Sequence, residues 1–230
     1  MAVPPNTNDA FLREVDEELR RDELVNVWRR YGRWIVVAVL AALAAYGGWL
    51  YWGHYQQQRA GNEGEKLLAT YDQLGAHQEA QAAPALTELG ASSSPGYRAA
   101  AKFSEADVLL KKNDLKGAAA KFAEVANDAS IGQPFRDLAL VRQTSAEYDS
   151  LKPQVVVDRL RPLAQKGNPW FGSAGELVAT AYLQMKRPDL ARTLFDQMSS
   201  DDGVPESIRQ RAVQMASTLG ASANQEKKAQ

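Results

Sequence analysis

The sequence offers few side chains that could bind a metal or carry out acid–base or nucleophilic chemistry. Its two histidines, His54 and His77, have no neighbouring histidine or carboxylate at ligand spacing. Cysteine is absent, which excludes disulfides, thiolate catalysis and cysteine metal sites. Glycine-rich phosphate loops and the nucleophile elbow of hydrolases are also missing. We therefore predict a protein that is not an enzyme, with no catalytic, cofactor-binding or metal-binding residues.

The aromatic pair Trp170 and Phe171, which follows Asn168-Pro169, is the most conspicuous cluster of large rings outside the apolar N-terminal stretch. Tryptophan is enriched at the energetic centres of protein interfaces, so both residues are candidate contacts for a partner. The alternative is a helix start at which the two rings pack inward. The choice between them depends on the elements that position the pair.

The longest apolar stretch contains nineteen uncharged residues, from Trp34 to Trp52. A helix of this length extends for about 28 Å, close to the thickness of the hydrocarbon core of a bilayer. Aromatic rings favour the headgroup level, and the rings that mark the two ends are Tyr31, Trp34, Trp49, Tyr51 and Trp52. We predict a transmembrane anchor over residues 34–52.

Two alternatives to a permanent anchor fit the stretch less well. A buried helix of a soluble protein is rarely apolar on all sides over this length. A cleaved signal peptide has a shorter leader than the 33 residues found here, and a shorter apolar core. Five arginines closely precede the stretch, whereas only Arg59 and Lys66 follow within about 15 residues, so the positive-inside rule places the N-terminus in the cytoplasm. Residues 53–230 then face outward, which in a bacterium means the periplasm.

Residues 1–33 form the predicted cytoplasmic segment. From Asp9 onward, Phe11, Val15 and Leu19 follow helical spacing and predict an amphipathic helix. Such a helix docks on a partner, lies in the membrane interface, or is simply solvated beside the anchor. Seven acidic residues in this segment argue against strong attraction to anionic lipid.

The exported portion carries 21 basic and 21 acidic residues, so its charge gives no reason to expect a nucleic-acid partner. Glycine, proline, asparagine and serine interrupt it at intervals, and no stretch alternates in the manner of a strand. We predict an all-α fold, with a helical domain over residues 53–219 and a disordered polar tail over residues 220–230.

A repeat becomes visible when the predicted helices are taken in pairs. Four residues recur 73 positions later, with Ala106, Leu109, Ala118 and Phe122 matched by Ala179, Tyr182, Ala191 and Phe195. This shift is close to two units of the 34-residue tetratricopeptide repeat. The intervening pair, residues 138–163, keeps the rhythm without the motif, and residues 206–219 predict a capping helix with Ile208, Ala212 and Met215 on one face. These patterns favour a short solenoid of helix pairs.

Several longer strings resemble one family. They are F-L-R-E-V-D-E-E-L-R-R-D-E-L-V-N-V-W-R-R-Y-G at residues 11–32, N-P-W-F-G-S-A-G-E-L at residues 168–177 and V-P-E-S-I-R-Q-R-A at residues 204–212. They resemble the tetratricopeptide-like ancillary subunits of the SecYEG translocon, in the form found in alphaproteobacteria. The resemblance implies a single-pass protein of the bacterial inner membrane with a periplasmic repeat domain. It also implies SecYEG subunits, periplasmic chaperones and exported chains as partners, and no catalytic residues.

Two functional hypotheses follow. The first is a non-enzymatic adaptor, whose anchor holds a concave repeat surface beside the export channel and links exported chains to chaperones. The second is a membrane-anchored scaffold for envelope assembly or division, independent of export. Neither involves a cofactor, a nucleic acid or a small-molecule substrate.

Overall fold

A computed structural model of the chain describes the backbone of residues 7–228 and the side chains of residues 28–220. Over these residues the chain forms nine α-helices, one short 3-10 helix at Tyr148–Ser150 and no β-strand. The α-helices are α1 (Thr7–Gly75), α2 (Glu79–Gly90), α3 (Pro95–Lys111), α4 (Leu115–Ala126), α5 (Gln133–Ala146), α6 (Pro153–Leu160), α7 (Phe171–Gln184), α8 (Pro188–Ser199) and α9 (Glu206–Lys228). The predicted all-α fold is confirmed.

The first of two compact units, Met1–Gly61, is made by α1 over its described residues. Within Trp28–Gly75, the most apolar 18-residue window has a mean hydropathy of 1.8 and none of it is buried, so this helix is long and apolar enough to cross a membrane. The aromatic residues predicted to mark the ends are all exposed, namely Tyr31, Trp34, Trp49, Tyr51 and Trp52. The predicted amphipathic helix falls within α1, but its side chains up to residue 27 lie outside the described part of the chain.

The second unit, Asn62–Gln230, consists of helix pairs packed one after another. The pairs are the end of α1 with α2, then α3 with α4, α5 with α6, and α7 with α8, followed by α9. The second helix of one pair packs on the first helix of the next, as α4 does on α5. The first helices also meet each other, since α3 contacts α5, α5 contacts α7 and α7 contacts α9. This arrangement is the stacking of a helical solenoid.

Three of the pairs are joined by the same turn. His77, Asn113 and Lys186 have φ angles of 58°, 60° and 57°, in the left-handed region. In each turn the next residue donates its backbone N–H to a carbonyl five residues earlier, as from Arg187 to Tyr182 at 2.8 Å. This pattern is the Schellman ending of an α-helix. It recurs because the same supersecondary unit recurs.

The pair α5 and α6 is joined differently. The 3-10 helix Tyr148–Ser150 and the extended residue Leu151 stand between the two helices, and α6 is only 8 residues long. The described side chains of this pair still contribute to the core, because Val141, Val156 and Leu160 are buried in its largest cluster. The middle pair therefore keeps the packing of the repeat while losing its turn and its motif.

The residues of the predicted repeat motif lie together in the core. Ala106, Ala118 and Phe122 form one buried cluster, with Leu109 packed against it. The counterparts Ala179, Tyr182, Ala191 and Phe195 belong to the largest cluster, in which Tyr182 is only partly buried. Small residues at the alanine positions let the paired helices approach, and the phenylalanine fills the space between them.

A hydrogen-bonded ion pair links the start of α3 to the loop that follows α4. Arg98, at the start of α3, donates from Nε to Oδ2 of Asp128 in the α4–α5 loop at 2.9 Å. Ser130 donates its backbone N–H to Oδ1 of the same carboxylate at 3.0 Å. Hydrogen bonds from Ser130 and then from Arg98 lower the pKa of Asp128 to about 2.

Helix α9 differs from its prediction in two respects. Ile208 and Ala212 are buried as expected, but Met215 is 36% exposed and Ala216 is buried instead. The buried stripe has a spacing of four residues, so it passes through position 216. The helix also continues to Lys228, through most of the tail predicted to be disordered, because neither proline nor glycine interrupts it after Gly220. Side chains beyond residue 220 lie outside the described part of the chain.

Candidate functional site

The residues that could do chemistry are engaged in local structure. His54 shares a hydrogen bond of 3.1 Å with Gln58 one turn later, and His77 occupies the left-handed position of the α1–α2 turn. Asp201 accepts the backbone N–H of Gly203 at 2.9 Å and forms a turn. Among the described residues there is no group of three histidine, cysteine or carboxylate side chains that could hold a metal ion.

The aromatic pair at the start of α7 is divided between core and surface. Phe171 is 1% exposed and belongs to the largest core cluster, so its ring offers no surface to a partner. Trp170 precedes the helix as its N-cap residue and is only partly buried against the same cluster. Its backbone N–H donates to Oδ1 of Asn168 at 2.8 Å, which fixes the entry into α7. Of the two candidate contacts, only Trp170 remains accessible.

The first helices of the pairs build a continuous surface, which we call the first-helix face. It comprises the exposed sides of residues 62–75 in α1, of α3, α5 and α7, and of residues 206–220 in α9. Tyr97 of α3 lies against Gly64 of α1, and the later first helices contact one another in succession. A partner segment lying across this face would touch several pairs at once.

Two ion pairs cross between neighbouring helices of this face. Arg142 of α5 donates to Oδ1 of Asp107 in α3 at 2.6 Å. Arg211 of α9 donates from Nε and Nη2 to the two carboxylate oxygens of Glu176 in α7, both at 2.8 Å, and this hydrogen bonding raises the pKa of Arg211. In each pair the partners are 35 residues apart. Acid and base therefore alternate from α3 to α9, and the charges within each of these two pairs neutralise each other.

The ion pair on α3 and α5 is linked to the buried repeat motif. The Arg142 guanidinium carbon lies 5.0 Å from the centre of the Phe122 ring, within the range of a cation–π contact. The ring of Phe103 lies 5.8 Å from the same ring, tilted by 53°. The Phe122 ring therefore makes a cation–π contact with the exposed Arg142 side chain and also fills the space between α3 and α4.

Phe135 is an exposed aromatic residue on α5 that was not predicted from the sequence. It is 52% exposed, and it lies two turns before Arg142 on the same side of α5. Trp170 follows Phe135 by 35 residues, which is the spacing of the ion-paired positions. Trp170 is the N-cap residue before α7 and Phe135 is the third residue of α5, so both rings lie near the start of a first helix without sharing the same position in it. A count of about one repeat back from Trp170 leads to the start of α5, and this is the signal that could have found Phe135.

The sequence model of the tetratricopeptide repeat-like domain matches residues 26–218, which is most of the chain. The chain belongs to this family. No curated protein matches the chain, and no solved structure matches it. Tetratricopeptide-like repeats are typically non-catalytic modules that bind other proteins, and the stacked helix pairs agree with that role. The match begins before the apolar stretch, so the apolar helix and the repeats lie within one family unit.

Proposed function

We propose that this protein is a membrane-anchored adaptor at the Sec translocon of a bacterial inner membrane. Its N-terminus lies in the cytoplasm, and its tetratricopeptide-like domain lies in the periplasm. The domain receives exported chains or the periplasmic chaperones that escort them. The observation that carries the proposal is the single family match that includes both the apolar helix and the repeats.

The first-helix face is the surface that binds the partner in this proposal. Phe135 and Trp170 act as aromatic anchors, since large rings dominate the binding energy of many interfaces. The ion pairs beside them neutralise their own charges, so they add little non-specific attraction for charged segments. A face of this kind suits a segment with apolar side chains, such as a chain that has not yet folded.

The proposed orientation rests on the arginines that precede the apolar stretch, and the proposed partners rest on the resemblance described above. An anchor adds a physical advantage to this role. Tethering the repeats beside the exit of a channel raises their effective concentration near emerging chains, so a weak binding face is sufficient.

The test is photocrosslinking in intact cells from three positions. A photoreactive residue replaces Tyr51 at the outer end of the span, Phe135 on the first-helix face, or Gln197 on the exposed side of α8 as a matched control. We expect channel subunits to be captured from the first position and chaperones or exported chains from the second. The control position should capture neither class.

Two results would contradict the proposal. Capture of proteins of envelope assembly or division from the first two positions, without channel subunits, would move the function to scaffolding. Equal capture of exported chains from Phe135 and from the control position would remove the first-helix face as the binding surface. In a further variant, Phe135→Ala combined with Trp170→Ala should reduce capture from a nearby probe at Gln143 by about tenfold, which corresponds to about 1.4 kcal/mol.

A further inference from the structure

An apolar groove lies away from the first-helix face, where α2, α3 and α4 meet. Its volume is about 280 Å³, and its floor includes Leu86 of α2 and Leu109 of α3. This volume is large enough to receive a few side chains of a protein. Its lining residues on α3 lie about 100° to 160° around the helix axis from Asp107, which belongs to the first-helix face.

Two parallel rows of side chains form the sides of this groove. The row on α2 contains Ala80 and Ala83, one turn apart, and the row on α3 contains Val108 and Lys112. With the other lining residues included, the groove covers about two turns of each helix, over residues 79–87 and 105–112. Small side chains along α2 leave room for the backbone of another helix to approach closely. The groove therefore has the shape that accepts one side of a helix, with apolar anchors at i and i+3 or i+4.

The charges at the rim are paired except for one. Lys121 forms an ion pair with Glu105 at 2.7 Å, and Lys111 faces Glu79 at 3.9 Å. Lys112 lines the end of the groove, and its ammonium group has no ion-pair partner among the side chains that the structure describes. A partner bound in the groove would place a carboxylate beside the Lys112 ammonium group.

We propose that this groove binds an amphipathic helix of a partner protein, through small or medium apolar side chains and one acidic residue that pairs with Lys112. This surface is separate from the first-helix face and does not depend on the function proposed above. With two separate faces, the domain binds a chain on one side and a second protein on the other.

The test begins with a displayed library of helix-forming peptides of about 15 residues, randomised along one side, selected on the full chain in detergent micelles. Affinities of the enriched peptides are then measured against the parent chain, Ala83→Arg, Lys112→Glu and, as the matched control, Phe135→Ala. Ala83 is exposed, so Ala83→Arg fills the groove without disturbing the core, and circular dichroism checks that it folds.

We expect enriched peptides with apolar residues at i and i+3 or i+4 and an acidic residue beyond them. Ala83→Arg should weaken their binding at least about tenfold, and Lys112→Glu about threefold or more. Exchanging the acidic peptide residue for lysine should restore binding to Lys112→Glu, while Phe135→Ala should leave it unchanged.

Three results would overturn the proposal. The first is a selection that enriches no peptide, or that enriches only peptides whose affinity is unchanged by Ala83→Arg. The second is binding that Lys112→Glu leaves unchanged or that the charge exchange fails to restore. The third is a change of oligomeric state caused by Ala83→Arg in sedimentation, because the occupant would then be a second copy of this chain.

Discussion

Replacement of Phe122 by alanine tests whether the repeat motif holds the domain together. The ring is fully buried between α3 and α4, and its closest motif neighbours, Ala106 and Ala118, are too small to fill the space it would leave. Removal of a buried phenylalanine ring costs about 3–5 kcal/mol when the site collapses only partly. The loss of the contacts with Phe103 and Arg142 favours the upper part of this range.

A loss of this size is a large fraction of the free energy of unfolding of a typical domain, which is about 5–15 kcal/mol. The measurement is urea denaturation of the full chain in detergent micelles, followed by far-ultraviolet circular dichroism. Phe122→Ala should lower the denaturation midpoint strongly, and Phe195→Ala at the equivalent buried position should behave in the same way. Phe135→Ala is the matched control, since an exposed ring should change stability by no more than about 0.5 kcal/mol.

The reasoning fails if Phe122→Ala unfolds within about 1 kcal/mol of the parent chain. It also fails if Phe135→Ala is equally destabilising, because burial would then have no bearing on which phenylalanine supports the fold. Loss of the chain's helical signal in Phe122→Ala without any denaturant would be the extreme form of the expected result.

Two further predictions concern a glycine and a carboxylate. A Cβ atom at Gly175 would lie 2.5 Å from the sulfur of the buried Met198. Gly175→Ala should therefore lower the free energy of unfolding, measured by urea denaturation, by about 1–3 kcal/mol. The control is Gly96→Ala, which places its Cβ in open space within α3 and should be neutral or slightly stabilising. The pKa of Asp128 is lowered to about 2 in the folded chain from an ordinary value of 3.8, so its contribution to stability is present above about pH 4 and is lost as the pH falls toward 2. The denaturation midpoint of Asp128→Asn should therefore fall below that of the parent at pH 6 and approach it at pH 2; a constant difference across this range would refute the assignment to Arg98 and Ser130.

Much of the fold could be predicted because its signals are local. The interruptions at Gly75, Asn113 and Pro153 lie where helices end or begin, and the apolar stretch from Trp34 to Trp52 is helical throughout. A helix boundary depends on the backbone preferences of a few neighbouring residues, and these preferences can be read from the sequence alone. The recurrence of Ala106 at Ala179 could also be recognised in the sequence, because both positions pack between paired helices and require a small residue.

The candidate surface was less accessible to such reasoning. Trp170 and Phe171 are adjacent in the chain and similar in chemistry, yet one is partly exposed and the other is buried. Met215 was assigned to the buried side of α9, which Ala216 occupies instead, for a related reason, since a single residue turns a helix by about 100°. The side that becomes buried depends on the helix that packs against it.

The sequence by itself determined that this protein is helical, repetitive and equipped with an apolar helix long enough to cross a membrane, because propensity, period and length are properties of neighbouring residues. Only the tertiary structure decided that Phe135 is exposed beside the row of ion pairs and that Asp107 meets Arg142 across two helices. These residues are brought together by the stacking of pairs, and the register of that stacking is fixed by the packing of distant side chains. No local pattern encodes it.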